Sequence, residues 1–358
     1  MTAPYALKIS YQKSLLSVSN CDTIGDMKEL DEQIISVLTR KGNLSASAIA
    51  AEINTNKINV NRSLVKLLEK RKIIRRGIGR MTYYQTALDP NTYFLTDIET
   101  RNGRKDYNAD IFNTIDKIME ESEVKQIIDL NQKYRASRDK LSPTLLKKAV
   151  ERIIIEFSWK SSQIEGNTYS LLDTERLIKE SIETEGKTRE EAIMILNHKS
   201  ACDYIFENHG EFKECSLEKI IKLHKILTSD LKINNAIRNH RVGITGSSYL
   251  PLGDAEKIEN ELTKLCDCIN SIENAFTKAL IAVLMISYIQ PFEDGNKRTA
   301  RTVGNAILLG AGFCPISYRS VADIEYKKAI VLFYEQNDYN YFKQLFIEQF
   351  KQAVDIYF

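Results

Sequence analysis

The sequence predicts a mainly α-helical protein in two parts: a small N-terminal module of three helices closed by a hairpin, and a larger helical body broken by one short hairpin. Three observations carry this. Apolar residues recur at helical spacing through nearly all of the chain after Ile111. Ala279 to Ile286 is apolar almost all round, as in a helix buried on every side, and Pro291 stops it. The stretch from Asp26 to Gln85 has its own helical periods, caps and turn residues. A chain of 358 residues, 43% hydrophobic and 27% charged, has room for two unequal domains with proper cores.

Within Asp26–Gln85, Leu30, Ile34, Ile35 and Leu38 lie on one helical face and Gly42 is a natural stop. Ser45 caps a short second helix through Ile49 and Ile53, and Asn54-Thr55-Asn56 turns the chain. A third helix sets Val60, Leu64, Leu67 and Leu68 on one face. Ile73-Ile74, the turn around Gly77 and Gly79, and Met81-Thr82-Tyr83-Tyr84 read as a hairpin. Between Lys57 and Arg80 the basic residues Lys57, Arg62, Lys66, Lys70, Arg71, Lys72, Arg75, Arg76 and Arg80 face the single acid Glu69, although the whole chain carries a net charge of only +2. This order resembles the winged helix-turn-helix modules of bacterial regulators. It implies DNA contacts from Lys57, Asn59, Asn61 and Arg62 at the start of the third helix, and from Arg75, Arg76 and Arg80 beside the wing. The alternative is a basic solvated face on a module for protein contacts.

The expected boundaries are a terminal segment over 1–26, the module over 27–90, a linker over 91–108 and the helical body over 109–358. Pro90, the Asn102-Gly103 turn and mixed charge mark the linker. Helices are expected near 109–122, 142–161, 171–183, 188–207, 216–230, 254–271, 275–288, 296–309, 321–335 and 338–356. The stretch between Asn239 and Leu252 alternates and carries glycines, which predicts the short hairpin. No apolar run reaches the roughly 20 residues that span a bilayer. The opening residues MTAPYALKISYQKSLLSVSN lack a secretory pattern, so a cytoplasmic, membrane-free protein is expected. Cys266 and Cys268 point to opposite sides of a helix, and the four histidines form no zinc-binding pattern, so a zinc enzyme is not indicated.

The chemistry concentrates at residues 290–301, QPFEDGNKRTAR. A helix halted at Pro291, an acidic-glycine turn and a new helix beginning near Asn296 present unpaired backbone N–H groups and the positive end of a helix dipole, which is an anion site. Arg298 and Arg301 are neighbours on that new helix and suit a polyphosphate. Asp294 at the turn is placed to hold a magnesium ion that bridges phosphate oxygens. No GxxxxGK(S/T) element offers a rival phosphate loop.

This segment resembles the motif of the Fic family, HPFx(D/E)GN(G/K)RxxR, at every specified position but the first. The resemblance covers roughly residues 110–358 and implies a Fic-type helical bundle with a short hairpin flap. It implies ATP and Mg2+ as ligands and transfer of AMP to a hydroxyl of an as yet unidentified target protein. By position, Gln290 occupies the place of the catalytic histidine. Asp294 binds the metal, Asn296 holds the α-phosphate, Gly295 and Lys297 form the anion hole, and Arg298 and Arg301 contact the outer phosphates. A carboxamide can orient a hydroxyl but takes no proton near neutral pH. Residues 161–167, SSQIEGN, resemble the family's inhibitory motif (S/T)xxxE(G/N). That similarity implies that Ser161, Glu165 and Gly166 form an inhibitory helix end, with Glu165 paired to Arg301. The hairpin stretch is similar to the flap that docks a target segment by strand pairing, with Arg238, Val242, Ile244 and Gly246 as its residues. His240 there is a candidate substitute base, set against an ordinary hydrogen-bonded histidine. Three functions follow: an autoinhibited adenylyltransferase, a degenerate nucleotide sensor, or a DNA-binding regulator whose helical body senses nucleotide or oligomerises. A second copy of the chain is kept as a candidate partner.

Overall fold

The computed structural model describes residues 22–70, 72–76, 79, 82–87, 89–101 and 103–358, with side chains except those of 22–28 and 76. The expectations on Arg71, Gly77, Arg80, Met81 and the Arg76 side chain lie outside the described residues. The chain divides into two compact units, Met1–Asp89 and Pro90–Phe358.

In the first unit, α1 (Asp22–Lys41), α2 (Ala46–Glu52) and α3 (Lys57–Glu69) precede an antiparallel pair, β1 (Ile73–Arg76) and β2 (Tyr83–Thr86), in register Ile73 to Thr86. The Ser45 hydroxyl accepts the Ala48 N–H at 3.2 Å and the Asn56 side chain accepts the Ile58 N–H at 2.7 Å, so both short helices start on side-chain caps. Ile34, Leu38, Ile49, Val60, Leu64 and Leu67 bury against one another as the core. Lys57, Asn59, Asn61 and Arg62 stay exposed on α3, together with the apolar Ile58 and Val65.

The second unit holds α4 (Pro90–Tyr93), α5 (Phe112–Ile115), α6 (Glu121–Arg138), α7 (Pro143–Ile164), α8 (Leu171–Glu180), α9 (Arg189–Glu207), α10 (Leu217–Leu227), α11 (Ala255–Ser271), α12 (Ala275–Ile289), α13 (Asn296–Gly310), α14 (Asp323–Gln336) and α15 (Asn340–Tyr357). The centre is α12, along which every side chain except Lys278 is buried. Each enclosed Leu or Ile there contributes roughly 1.5–3 kcal/mol. Gly304 brings α13 so close that a Cβ would meet Val283 Cγ2 at 2.7 Å, and this contact fixes the angle at which the two helices frame the loop between them.

Three expectations are corrected. The helix expected over 109–122 is a 3-10 turn, Ala109–Ile111, followed by the short α5, and a long helix, α6, runs where none was expected. Only Ile127, Leu130, Asn131 and Tyr134 of α6 are buried, so its apolar stripe is sparse within a charged sequence. Residues 91–108, expected as a linker, pack onto the second unit: the Tyr93 hydroxyl donates to Glu335 at 2.5 Å, and Asn108 N–H donates to the Tyr288 hydroxyl at 2.9 Å. The 238–251 stretch, expected as a hairpin, forms no paired strands of its own. Among the described residues its bridge is Asp106 with Leu250. Alternation along this stretch reflects burial of Arg238 and Tyr249 against α12, not strand pairing.

Candidate active site

The site grows from the end of α12. Gln290 takes a left-handed conformation, φ 51°, and closes the helix through its N–H to the Ile286 carbonyl. Pro291 prevents continuation. Phe292 turns inward, fully buried, and stacks on the His224 ring of α10 with centroids 3.6 Å apart. The Asn296 amide closes the loop in both senses: Nδ2 donates to the Phe292 carbonyl at 2.7 Å and Oδ1 accepts the Phe292 N–H at 2.8 Å. Asn296, expected to hold phosphate, lines the cavity and also closes this turn, using Oδ1 and one of its two Nδ2 hydrogens because a buried turn must satisfy both backbone groups of Phe292. Gly295 is left-handed, φ 78°, and is pressed against α10; a Cβ would come within 3.1 Å of Thr228 Cγ2 and 3.3 Å of His224 Cε1. No side chain caps α13, so its first-turn N–H groups and positive dipole end are left for an anion.

Around that turn the cations are arranged by α13. Arg298 is 1% exposed and reaches Asp294 Oδ2 and the Leu227 carbonyl, each at 3.4 Å. Burial lowers its pKa. Arg301 is fully buried: Nε donates to Ser161 Oγ at 2.9 Å, while Nη2 donates to the Ser161 carbonyl at 2.8 Å and to Glu165 Oε1 at 2.9 Å. Lys297 Nζ approaches Glu165 Oε2 at 3.4 Å. Glu165 stands at the C-terminal cap of α7, and Gly166 follows it at φ 102° and ends the helix. Burial raises the Glu165 pKa, but Arg301, Lys297 and Arg298 together outweigh it and hold the carboxyl below its ordinary value. The Glu165–Arg301 pairing implied by the inhibitory-type motif is therefore present as geometry.

Gln290 lies at the edge of the same cavity, with Nε2 donating to the Ser287 carbonyl at 2.6 Å and to the Tyr334 hydroxyl at 3.2 Å. Its main chain is braced by Arg238, expected as a target-docking residue but 1% exposed and directed at α12. Arg238 Nε donates to the Gln290 carbonyl at 2.6 Å, Nη2 to the Ile289 carbonyl at 3.3 Å, and Nη1 to the His240 carbonyl. A cation on the last carbonyls of a helix is favoured by the dipole, and no periodicity in the sequence announces it. Val242 and Ile244 do line the cavity, whereas Gly246 forms the turn beyond it at φ 82°. His240 is exposed and is not in the cavity wall. His224 and Tyr334 were not singled out in the sequence, since a lone histidine and a tyrosine at helical spacing look like core residues.

The cavity measures about 440 Å3 and is walled by the α13 turn, Glu165, the Val242–Thr245 stretch and the Tyr326–Tyr334 face of α14. A nucleoside triphosphate fits this set of groups. The free first-turn N–H groups of α13 would meet its phosphates, Lys297 and Arg298 would lie beside them, and Val242, Ile244, Ile330 and Val331 would offer apolar walls to a base. No cluster of three metal-ligating side chains occurs among the described residues. A magnesium ion held chiefly by phosphate oxygens needs only one carboxylate, and Asp294, 69% exposed at the cavity wall, suits that task.

An uncapped helix start at Asn296 with two buried arginines beside it has the chemistry of an anion site on a helical protein. Residues 214–308 match the Fic/DOC family, and the chain carries a Fic/DOC domain there. A protein named protein adenylyltransferase Fic from Nematostella vectensis is 28% identical over 179 residues, covering 49% of this chain and 42% of that protein. A second of the same name from Drosophila virilis is 26% identical over 219 residues, covering 58% and 42%. The matches thus span about two fifths of the length of these relatives. The fold is that of Fic-1 from C. elegans, with a TM-score of 0.59 at 17% identity over 94% of this chain and 83% of that one. No described helix is long and apolar enough to cross a membrane.

Proposed function

We propose that the cavity binds Mg–ATP with its phosphates over Gly295–Arg301, and that the protein transfers AMP to a hydroxyl of a target protein under two restraints. Glu165 occupies Arg301, and Gln290 stands where a base belongs. The carrying observation is the 2.9 Å pair between Glu165 Oε1, which lines the cavity, and Arg301 Nη2, which lies buried directly behind it. A carboxylate at that position competes directly with phosphate oxygens for the same guanidinium.

In the transfer, the acceptor hydroxyl oxygen forms a bond to the α-phosphorus, the bond from that phosphorus to the bridging oxygen breaks, and pyrophosphate leaves. The first-turn N–H groups of α13, that of Lys297 among them, and the Arg298 guanidinium would meet the charge on the phosphate oxygens. The Gly295 N–H would first have to leave Asp294 Oδ1, which accepts it at 2.6 Å. A magnesium ion beside Asp294 would neutralise part of that charge when bound. The hydroxyl proton needs a destination. Gln290 can accept a hydrogen bond from the hydroxyl through Oε1 and so orient it, but the proton must pass to water.

The test is self-labelling with ATP radioactive in the α-phosphate, comparing Glu165→Gly with Glu165→Gly/Gln290→His. The double variant labels faster, by about 10²–10⁴-fold if the histidine restores general-base catalysis. Equal labelling would remove Gln290 from the account. A second reading concerns the first unit. The exposed Lys57, Asn59 and Arg62 on α3 and exposed Arg75 on β1 favour winged-helix contacts to duplex DNA. Titration of duplex DNA into the full chain at two salt concentrations decides it, since phosphate contacts make affinity fall as salt rises.

A further inference from the structure

One buried carboxylate lies outside the anion site yet touches its wall. Glu335, near the end of α14, is fully enclosed. Oε1 accepts from the Ser247 hydroxyl at 2.7 Å and from Ser248 N–H at 3.2 Å, both in the turn after the cavity-lining Val242–Thr245 stretch. Oε2 accepts from the Tyr93 hydroxyl at 2.5 Å and from Arg101 Nη1 at 3.3 Å, both in the segment that opens the second unit. A single side chain thus joins two stretches of chain roughly 150 residues apart.

The same junction is reinforced through the backbone. The Glu335 carbonyl accepts from Arg104 N–H at 2.6 Å, and Leu250 N–H donates to the Lys105 carbonyl at 2.7 Å. Arg101 Nη1 also reaches the Gly246 carbonyl at 3.4 Å. Gly103 allows the approach, because a Cβ there would stand 2.9 Å from Glu335 Cβ. The next residue back along α14, Tyr334, lines the cavity and accepts from Gln290.

We propose that Glu335 is a positioning residue: it holds the Val242–Thr245 wall in its nucleotide-binding place by fastening Ser247 and Ser248 to Tyr93 and Arg101. Residues that never touch the ligand then set its affinity. A buried carboxylate with four donors keeps its orientation only while those donors are present, because an unmet acceptor in the interior is costly. Loss of the Tyr93 hydroxyl loosens the carboxylate from the far side, and the wall follows. This role rests on the reading of the cavity as a nucleotide site.

Glu335→Ala risks failing to fold, so the informative variants are Tyr93→Phe and Ser247→Ala, each removing one hydroxyl. Both are made in the full-length Glu165→Gly background. Three quantities are measured: Mg–ATP affinity by calorimetry, amide hydrogen exchange over residues 240–250 without nucleotide, and melting temperature. The expected result is a loss of affinity of about three- to tenfold, the size of one net hydrogen bond, together with faster exchange in that peptide. Tyr93→Phe is the decisive case, since the Tyr93 hydroxyl meets Glu335 and, at 3.2 Å, the Gln336 amide, and not the wall itself. A lowered melting temperature with unchanged affinity and unchanged exchange overturns the proposal and leaves a purely structural carboxylate. If the parent Glu165→Gly protein binds no Mg–ATP, the nucleotide reading fails and Glu335 has no part in affinity. Exchange over 240–250 then still shows whether the tether itself exists.

Discussion

Replacing Glu165 by glycine isolates the contact on which the functional reading turns. Arg301 has no exposure, and its guanidinium is held by Ser161 and Glu165 alone among the hydrogen bonds from α7. Deleting one partner of a fully buried ion pair costs about 3–5 kcal/mol. Here the cost is smaller, about 1–3 kcal/mol, because both Ser161 acceptors remain and the Glu165 side chain, 19% exposed, opens to water in the cavity. The unpaired cation becomes available to phosphate. A charge-assisted hydrogen bond is worth about 1.5–3 kcal/mol. At 1.4 kcal/mol per decade, Mg–ATP should bind about 10–150-fold more tightly. Calorimetry on the full chain measures this, with adenosine as the control, since a ligand without phosphates should gain nothing. Unchanged Mg–ATP affinity, or an equal gain for adenosine, refutes the pairing as a restraint on phosphate binding. Acid is not an alternative release in the ordinary range. The Glu165 pKa lies below its usual value, so the pair persists above that range and is lost only as pH falls through the lowered folded value.

Three further outcomes follow from the same geometry. His224 has its pKa lowered to about 4 by burial and by Arg298, with a hydrogen bond at the Asn234 backbone and the Asp294 charge opposing. Its folded form therefore holds fewer protons than the unfolded chain between that value and about 6.5, so stability falls by up to roughly 3 kcal/mol as pH drops through this window; urea midpoints at pH 7 and 5 should show it, and His224→Gln should flatten the slope. The fully buried His198, also lowered by burial, acts in the same direction and remains in that variant. Gly295→Ala forces a left-handed alanine with its Cβ 3.1 Å from Thr228 Cγ2, which should cost about 1–2 kcal/mol in denaturation and weaken Mg–ATP binding in the Glu165→Gly background. Arg238→Met strips the Ile289 and Gln290 carbonyls of their donors and should cost about 1–3 kcal/mol for each group left unpaired, read as a lower urea midpoint.

Much of this arrangement can be read from sequence because its signals are local. Complete burial of α12, its arrest at Pro291, the left-handed Gly295 and the start of α13 all follow from residues within one short window. Glu165 was reached at a distance of 136 residues from Arg301 only through its resemblance to a known motif. Where no local signal exists, the reading failed. Alternation at 238–251 suggested a strand pair, yet the partners of that stretch are α12, Glu335 and Lys105. The mixed charge of 91–108 suggested a linker, yet Arg101 is drawn inward by Glu335 and by the Tyr93 and Phe94 rings. Charge alone cannot reveal that a cation has a buried partner. The turn-closing task of Asn296 went unread for a different reason, because an amide suited to phosphate is equally suited to closing its own turn.

The two restraints differ in kind, and this makes them separable. On the proposed reading, Glu165 engages Arg301 behind the cavity wall and would oppose phosphate binding. Gln290 stands at the end of α12, where its amide is turned toward Ser287 and Tyr334, and on the same reading would leave the acceptor proton without a base. They stand at the ends of different helices and would act on different steps, binding and proton removal, so their effects should multiply. Gln290→His alone would leave Arg301 occupied and gain little at low ATP, whereas Glu165→Gly alone would bind ATP and transfer slowly. If instead the histidine variant alone reached the rate of the double variant, Glu165 would not be limiting phosphate access, whatever the 2.9 Å contact suggests.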